Sequence, residues 1–137
     1  MIELVWDARR QGTGRNTSGA SLAVGDEAHF SPDDLVSLAA ASCLMKSFLT
    51  LAAENKLPLL SYLSTSEVVH DDDARVPSRV RVRAYVVAAN DTDRAGLEAL
   101  VARAKAQSPV SRLLGDRVEV TFDVRVLSGA PPAAPEK

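Results

Sequence analysis

The sequence predicts one α+β domain, in which strands pair mostly with their sequence neighbours and a long apolar helix lies at the centre. The length of 137 residues fits a single domain with a real core. The second observation is an almost unbroken run of apolar and small residues over 35–53. The third is the alternation of apolar and polar residues over 76–87 and 117–127, which is typical of strands with one wet face.

The N-terminal segment predicts two strands separated by a loop. Ile2 and Leu4 occupy alternate positions, which is a weak strand signal, and Ala20–Val24 has the composition of a second strand. Gln11–Ser18 is polar and contains two glycines, so we expect a loop there.

The long helix has a clear start and end in the sequence. Ser31 is a good N-cap, Pro32 suits the first helical position, and the two aspartates that follow interact favourably with the helix dipole. We expect the helix to end near Asn55, because the residue before Pro58 is pushed out of helical geometry. A helix that is apolar on every side must be buried on every side, which needs a sheet and a further surface, most simply that of a partner subunit.

The second half predicts two strands, two helices and a last strand. Leu59–His70 is rich in strand-forming residues, and Asp71–Asp73 forms a turn before the alternating strand Val76–Val87. Helix two is expected to start at a cap supplied by Asp91 or Thr92.

A short third helix and a last strand complete the predicted domain. Ser108 is expected as the N-cap of that helix, with Gly115 just beyond its end. The strand Arg117–Leu127 follows. Ser128–Lys137, with three prolines and three alanines, is predicted to be a disordered tail, so the domain covers residues 1–127.

Composition and charge exclude several classes of function. A net charge of −2 lacks the basic excess of a nucleic-acid-binding surface. The run over 35–53 is long enough to cross a membrane, but Lys46 would be costly near the middle of a bilayer, so we expect no membrane contact. The first ten residues contain no secretory apolar run, and a single cysteine excludes an internal disulfide; both favour a cytoplasmic location.

No metal or cofactor is predicted. Asp71–Asp73 has no further ligand at suitable spacing, and His29 and His70 lie far apart in the sequence. No glycine-rich phosphate loop joins a strand to a helix. The outward row of arginines at 79, 81 and 83 is expected to be a solvated face partly covered by the acids of helix two, with an acidic partner or a phosphate as the alternative.

Cys43 is the candidate nucleophile. It lies about three turns into the long helix, beyond the first turn where the helix dipole acts, so a reactive thiolate needs a cation from elsewhere. Arg15 is one candidate, and the others are Arg9, Arg10 and Arg112. The structural alternative is that Cys43 is a small buried hydrophobic residue.

Two motifs resemble those of the OsmC/Ohr family, the osmotically inducible and organic hydroperoxide resistance proteins. The first combines Ser31–Leu35 with Ala39–Cys43, so that the cysteine follows Asp33 by ten residues. The second is Gln107–Ser111, which is similar to the family's Cys-Pro-hydrophobic-Ser motif. The similarity covers nearly the whole chain apart from the tail.

The resemblance implies a fold, an assembly and a reaction. The fold is an intertwined homodimer with antiparallel sheets around the central helix and with its sites at the subunit interface. A cysteine thiolate attacks an organic hydroperoxide and becomes a sulfenic acid, a second cysteine forms a disulfide with it, and a dithiol reopens that bond. By position, Cys43 is the peroxidatic cysteine, Arg15 the arginine that holds the thiolate, and Asp33 stands where a glutamate holds the arginine.

Ser108 departs from the family pattern, because it occupies the position of the second cysteine. A hydroxyl cannot form a disulfide, so three outcomes stay open. Cys43 acts as a one-cysteine peroxidase with an external thiol as reductant; it is a redox sensor that stops at the sulfenic acid or a mixed disulfide; or the redox function is lost and the dimer binds another small molecule. Ser108 also has a plain explanation as an N-cap.

Overall fold

The computed structural model describes residues 1–26, 29–72, 77–89 and 94–127. Within these ranges the chain forms two three-stranded sheets and three α-helices, which is the predicted α+β class. The predicted caps of helix two, Asp91 and Thr92, and the predicted tail Ser128–Lys137 lie outside the described residues.

The N-terminal sheet contains three strands, one more than predicted. They are β1 (Ile2–Ala8), β2 (Gln11–Asn16) and β3 (Ser21–Val24), paired antiparallel in that order. The predicted loop over Gln11–Ser18 is therefore wrong for its first six residues. Its glycines mark a close approach of backbones, because a Cβ atom on Gly12 would lie 2.7 Å from the carbonyl oxygen of Val5.

The long helix α1 (Pro32–Glu54) starts where the sequence predicts. The Ser31 hydroxyl accepts a hydrogen bond from the Asp34 N–H at 3.1 Å, and the Asp34 carboxylate accepts one from the Ser31 N–H at 3.0 Å. This reciprocal capping box satisfies two N–H groups that have no partner within the helix. Asn55 is the C-cap, as expected.

Within one chain α1 is buried on one face only, so the predicted burial on every side depends on the further surface of a partner and stays a prediction. Its inner face includes Leu44 and Phe48, which are fully buried. Four apolar side chains on the rest of the helix are about 40% exposed: Val36, Leu38, Met45 and Leu49. The helix is long and apolar enough for a membrane span, a test that the core helix of a soluble protein also passes. Its packing against a sheet is that of a core helix.

The C-terminal sheet consists of β4 (Leu59–His70), β5 (Pro77–Ala88) and β6 (Val118–Val126), in that order. β4 and β5 pair antiparallel, as predicted, but β5 and β6 are parallel. The parallel pairing follows from the segment between β5 and β6. Its helices α2 (Arg94–Gln107) and α3 (Pro109–Leu114) carry the chain back past the sheet before β6 begins. A parallel neighbour requires such a crossover.

The core lies between α1 and the inner face of β5. That face consists of small and β-branched residues at alternate positions, as the pattern predicts, and the buried members are Val80, Val82, Ala84, Val86 and Ala88. The ring of Phe48 completes the core, with its centroid 5.8 Å from that of Tyr62 and 5.4 Å from that of Phe122. Phe48 thus joins α1 to β4 and β6 by its packing alone.

Replacing Phe48 by alanine is expected to lower the free energy of unfolding by about 3–5 kcal/mol, since the cavity left between helix and sheet cannot close fully. Urea unfolding followed by circular dichroism measures the change. Thr50→Ala, on the exposed side of the same helix, is the control and should shift stability by less than about 0.5 kcal/mol. Equal effects of the two substitutions would contradict the packing role of Phe48.

Candidate functional site

Cys43 lies on α1 where that helix packs against α3, and its side chain is partly buried. The backbone N–H of Val110 points at its sulfur, with 3.5 Å between Val110 N and Cys43 Sγ. Val110 is the second residue of α3, so its N–H belongs to the first turn and has no acceptor within the helix. The two sequence motifs, far apart in the chain, therefore meet at the sulfur.

Ser108 is the N-cap residue of α3 by its backbone, but its side chain makes no cap hydrogen bond. An N-cap hydroxyl normally accepts from the second or third N–H of its helix, and here the second one is directed at Cys43 Sγ. The hydroxyl of Ser108 is fully buried and has no hydrogen-bond partner among the described residues. The expectation that Ser108 is an ordinary N-cap is therefore wrong for its side chain.

A second buried hydroxyl on α3 belongs to Ser111. Ser111 Oγ is also buried and unpartnered among the described residues, but Ser111 lines a pocket beside β6 together with Arg112. Cys43 does not line that pocket. Arg112, one of the candidate cations, lines this pocket, and no described hydrogen bond or ion pair joins it to Cys43.

Asp33 pairs with a histidine. Its carboxylate lies 2.9 Å from Nε2 of His70, which ties the first turn of α1 to the end of β4. Asp33 and Cys43 are ten residues apart on one helix, or about 15 Å along its axis. Among the described residues, no hydrogen bond or ion pair joins Asp33 to Cys43 or to an arginine.

Arg15 is exposed on β2, directly across from Glu3 of β1. No hydrogen bond or ion pair joins it to Asp33 or Cys43, so the described part of one chain does not bring the three predicted site residues together. Of the other candidate cations, Arg10 is paired with Asp26 at 2.7 Å, and Arg9 lies in the turn between β1 and β2.

The arginine row on β5 is largely neutralised by neighbouring strands. Arg79 binds Glu119 at 2.7 Å, and Arg81 binds both Glu119 at 3.2 Å and Glu67 at 3.1 Å. The hydrogen bond from Arg79, and then that from Arg81, lowers the pKa of the Glu119 carboxyl. Among the described residues, the acids that pair with this row come from β4 and β6 and not from helix two, whose Glu98 pairs with Arg94.

The residues that the structure describes contain no cluster of three histidine, cysteine, aspartate or glutamate side chains able to hold a metal ion. The functional contact that sequence reasoning missed is the Val110 N–H. It is a backbone group, and its only sequence signal is Pro109, which starts the short helix and leaves the next N–H free.

The N-terminal sheet presents an uncovered apolar face. Ile2, Leu4 and Trp6 lie on one side of β1 and are 66–74% exposed. Together with β3 and the start of α1 they form two adjacent grooves of about 400 and 430 Å³. The described residues of this sheet contribute nothing to the buried hydrophobic core.

Comparison with known proteins gives one family and one fold. A family model described as OsmC-like protein matches residues 25–123. No curated protein matches the sequence. Among solved structures, an OsmC-like protein of unknown function from Vibrio cholerae is 16% identical with a TM-score of 0.75, and the match covers 90% of this chain and 97% of that one.

Two other similar structures carry functional names. An organic hydroperoxide resistance protein OsmC from Legionella pneumophila is 22% identical with a TM-score of 0.65, covering 92% of this chain and 97% of that one. The organic hydroperoxide resistance protein OhrB of Bacillus subtilis is 16% identical with a TM-score of 0.65, covering 91% and 98% respectively. At these identities the likeness establishes the fold.

A cysteine at position 108 should form a disulfide with Cys43, because residue 108 begins the turn whose N–H touches the sulfur. Ser108→Cys, oxidised with one equivalent of diamide, is expected to lose both free thiols to a disulfide within one chain. Mass spectrometry of peptides without reduction detects the bond. Ser111→Cys is the matched control and should keep its thiols, since Ser111 faces the pocket beside β6. Two free thiols in oxidised Ser108→Cys would show that the side chains are too far apart for the bond.

Proposed function

The chain belongs to the OsmC-like protein family, and on this premise we propose that it is a thiol-dependent hydroperoxide reductase or redox protein that uses Cys43 alone. The observation that carries the proposal is the Val110 N–H directed at Cys43 Sγ. A cysteine that served only as core packing would have no need of a donor aimed at its sulfur. The contact fixes the sulfur at the start of α3, where a backbone donor holds it in one position.

The proposed reaction begins at the sulfur. The Cys43 thiolate attacks the outer oxygen of an organic hydroperoxide, the O–O bond breaks, and the alkoxide leaves with the electron pair and takes a proton from water. The sulfur is oxidised to a sulfenic acid. Partial burial supports this step, since it leaves the thiol reachable while limiting its hydration.

Ser108 requires the second half of the cycle to use an external thiol. A small-molecule thiol condenses with the sulfenic acid, releases water and leaves a mixed disulfide on Cys43. A second thiol then reduces that bond and restores the cysteine. Cys43 is the only cysteine in the chain, so no internal disulfide competes with this route.

A homodimer is part of the proposal, because two apolar surfaces of one chain have no cover. One is the grooved face of the N-terminal sheet, and the other is the stripe Leu38, Met45 and Leu49 on α1. Burying a large apolar side chain contributes about 1.5–3 kcal/mol, which favours association over leaving these residues in water. In a symmetric dimer, the second copy of the chain carries the same two apolar surfaces and can cover those of the first.

Dimerisation also supports roles for Arg15 and Asp33. No contact among the described residues joins Arg15 to Asp33 or Cys43 within one chain, so the proposed roles need a second copy. We infer that Arg15 reaches Cys43 across the interface and that Asp33 orients it. His70, which binds Asp33 in the single chain, would then share or yield that carboxylate.

Ser108 also favours a second candidate function. A family member without a resolving cysteine is suited to sensing, in which the oxidised cysteine persists as a signal, or to binding a small apolar molecule at the interface without catalysis. Turnover with an external thiol separates these functions from the reductase, since neither of them consumes peroxide repeatedly.

The wild-type protein is expected to consume cumene hydroperoxide through many turnovers when dithiothreitol is present. Cys43→Ser should abolish the activity, and Arg15→Met should lower the second-order rate by about 10²-fold, since it removes a charge that stabilises the thiolate. Xylenol-orange assay of the remaining peroxide measures the rate.

Arg83→Met, on the wet face of β5, is the control for loss of an arginine and should retain wild-type turnover. If Cys43→Ser consumes peroxide as fast as the wild type, the enzymatic proposal is refuted. If Arg15→Met equals Arg83→Met, the role of Arg15 is refuted and that of Cys43 stands.

Light scattering at micromolar concentration is expected to give the mass of a dimer. Leu4→Glu should raise the dissociation constant at least about tenfold, because it places a charge on the apolar face of the N-terminal sheet. Val5→Glu changes the next residue on the same strand, which faces the opposite side across from Thr13, and should leave the dimer intact. A wild-type monomer would contradict the assembly.

A further inference from the structure

We propose that the Ser108 hydroxyl donates a hydrogen bond to the oxygen of the Cys43 sulfenic acid and thereby prolongs that state. The inference rests on the proposed function, because it requires that Cys43 be oxidised by a hydroperoxide. It assigns a role to the residue that replaces the second cysteine: Ser108 is a positioning residue for the oxidised form of the site.

The first observation is the unpartnered hydroxyl itself. Ser108 has no exposed surface, and its Oγ has no hydrogen-bond partner among the described residues. Buried polar groups nearly always have a partner, and an exception calls for an explanation such as a catalytic role. A hydrogen-bond acceptor that is present only after Cys43 is oxidised explains why the hydroxyl has no partner before the reaction.

The second observation places Ser108 at the same helix end as the sulfur. Ser108 is the N-cap residue of α3, two positions before the residue that supplies the second N–H of that helix. That N–H belongs to Val110 and is directed at Cys43 Sγ, so sulfur and cap hydroxyl share one end of α3. The extended backbone of Ser108, with φ −62° and ψ 115°, is of the usual N-cap type and keeps its side chain at that end.

Oxidation adds the missing acceptor. The thiolate of Cys43 displaces alkoxide from the hydroperoxide, forms an S–O bond and loses two electrons to the broken O–O bond. The new oxygen is bonded to a sulfur that already receives the Val110 N–H. The Ser108 hydroxyl can donate a hydrogen bond to this oxygen without breaking another one, because it has no partner among the described residues.

The chemical consequence is a slower second oxidation. A sulfenate that attacks another hydroperoxide becomes a sulfinic acid, which small-molecule thiols do not reduce. A hydrogen bond to the sulfenate oxygen withdraws charge from the attacking sulfur and lowers the rate of this step. The attack of an external thiol on the same sulfur is not slowed in this way, so the reducible state lasts until a thiol arrives.

The test compares wild type, Ser108→Ala and Ser111→Ala under excess cumene hydroperoxide without any thiol. Intact-protein mass spectrometry follows the species with one added oxygen atom and its conversion to the species with two. Ser108→Ala should speed this conversion about tenfold, which corresponds to a loss of about 1.4 kcal/mol in the barrier and to one hydrogen bond. Ser111→Ala removes the other buried hydroxyl of α3 and should convert at the wild-type rate.

The outcomes separate this inference from the proposed function. If wild-type Cys43 gains no oxygen atom, the proposed function fails and the inference fails with it. If Cys43 gains one oxygen but Ser108→Ala converts at the wild-type rate, or Ser111→Ala speeds conversion equally, only the role of Ser108 is overturned. Ser108→Ala removes a single atom that bonds to nothing in the described structure, so a matching circular dichroism spectrum is expected and confirms that folding is unchanged.

Discussion

Helix α1 has two apolar sides, and its own chain covers only one of them. The inner side packs its large residues, with Phe48 at the centre, against the C-terminal sheet. The other side, with Leu38, Met45 and Leu49, stays partly in water, and so does the grooved face of the N-terminal sheet. This half-covered helix also carries Cys43, so the proposed dimer would cover part of the helix that holds the sulfur.

Local signals predicted the parts of the fold that local chemistry determines. The start of α1 follows from Ser31, Pro32 and Asp34, which meet within one turn and need no distant partner. β2 was missed because its glycines are turn signals by composition, and only the neighbouring backbone shows why Gly12 is needed in a strand. The parallel pairing of β5 and β6 was missed because it depends on the path of two helices, which strand patterns do not encode.

The sequence indicated residues for the candidate site but not the contacts between them. The spacing of two motifs indicated Cys43 and position 108, and the structure joins these segments through a backbone N–H that belongs to neither side chain. The ion pairs of Arg81 were equally hidden, because Glu67 and Glu119 face it only in the register of three strands. Arg15 and Asp33 are not brought to Cys43 by the described part of the chain, so the roles proposed for them depend on the proposed dimer.

The start of α3 combines a backbone N–H directed at the sulfur of Cys43 with a buried hydroxyl that has no partner among the described residues. A side chain at the N-cap normally stabilises its helix by accepting an N–H, and here the sulfur of Cys43 takes that N–H. Ser108 is thereby released from capping and left with an unused hydroxyl in a buried position, which costs about 1–3 kcal/mol. Alanine would avoid that cost, so stability alone does not favour serine at this position. The proposed role of Ser108 accounts for this cost, because the hydroxyl gains its acceptor only when Cys43 carries an oxygen.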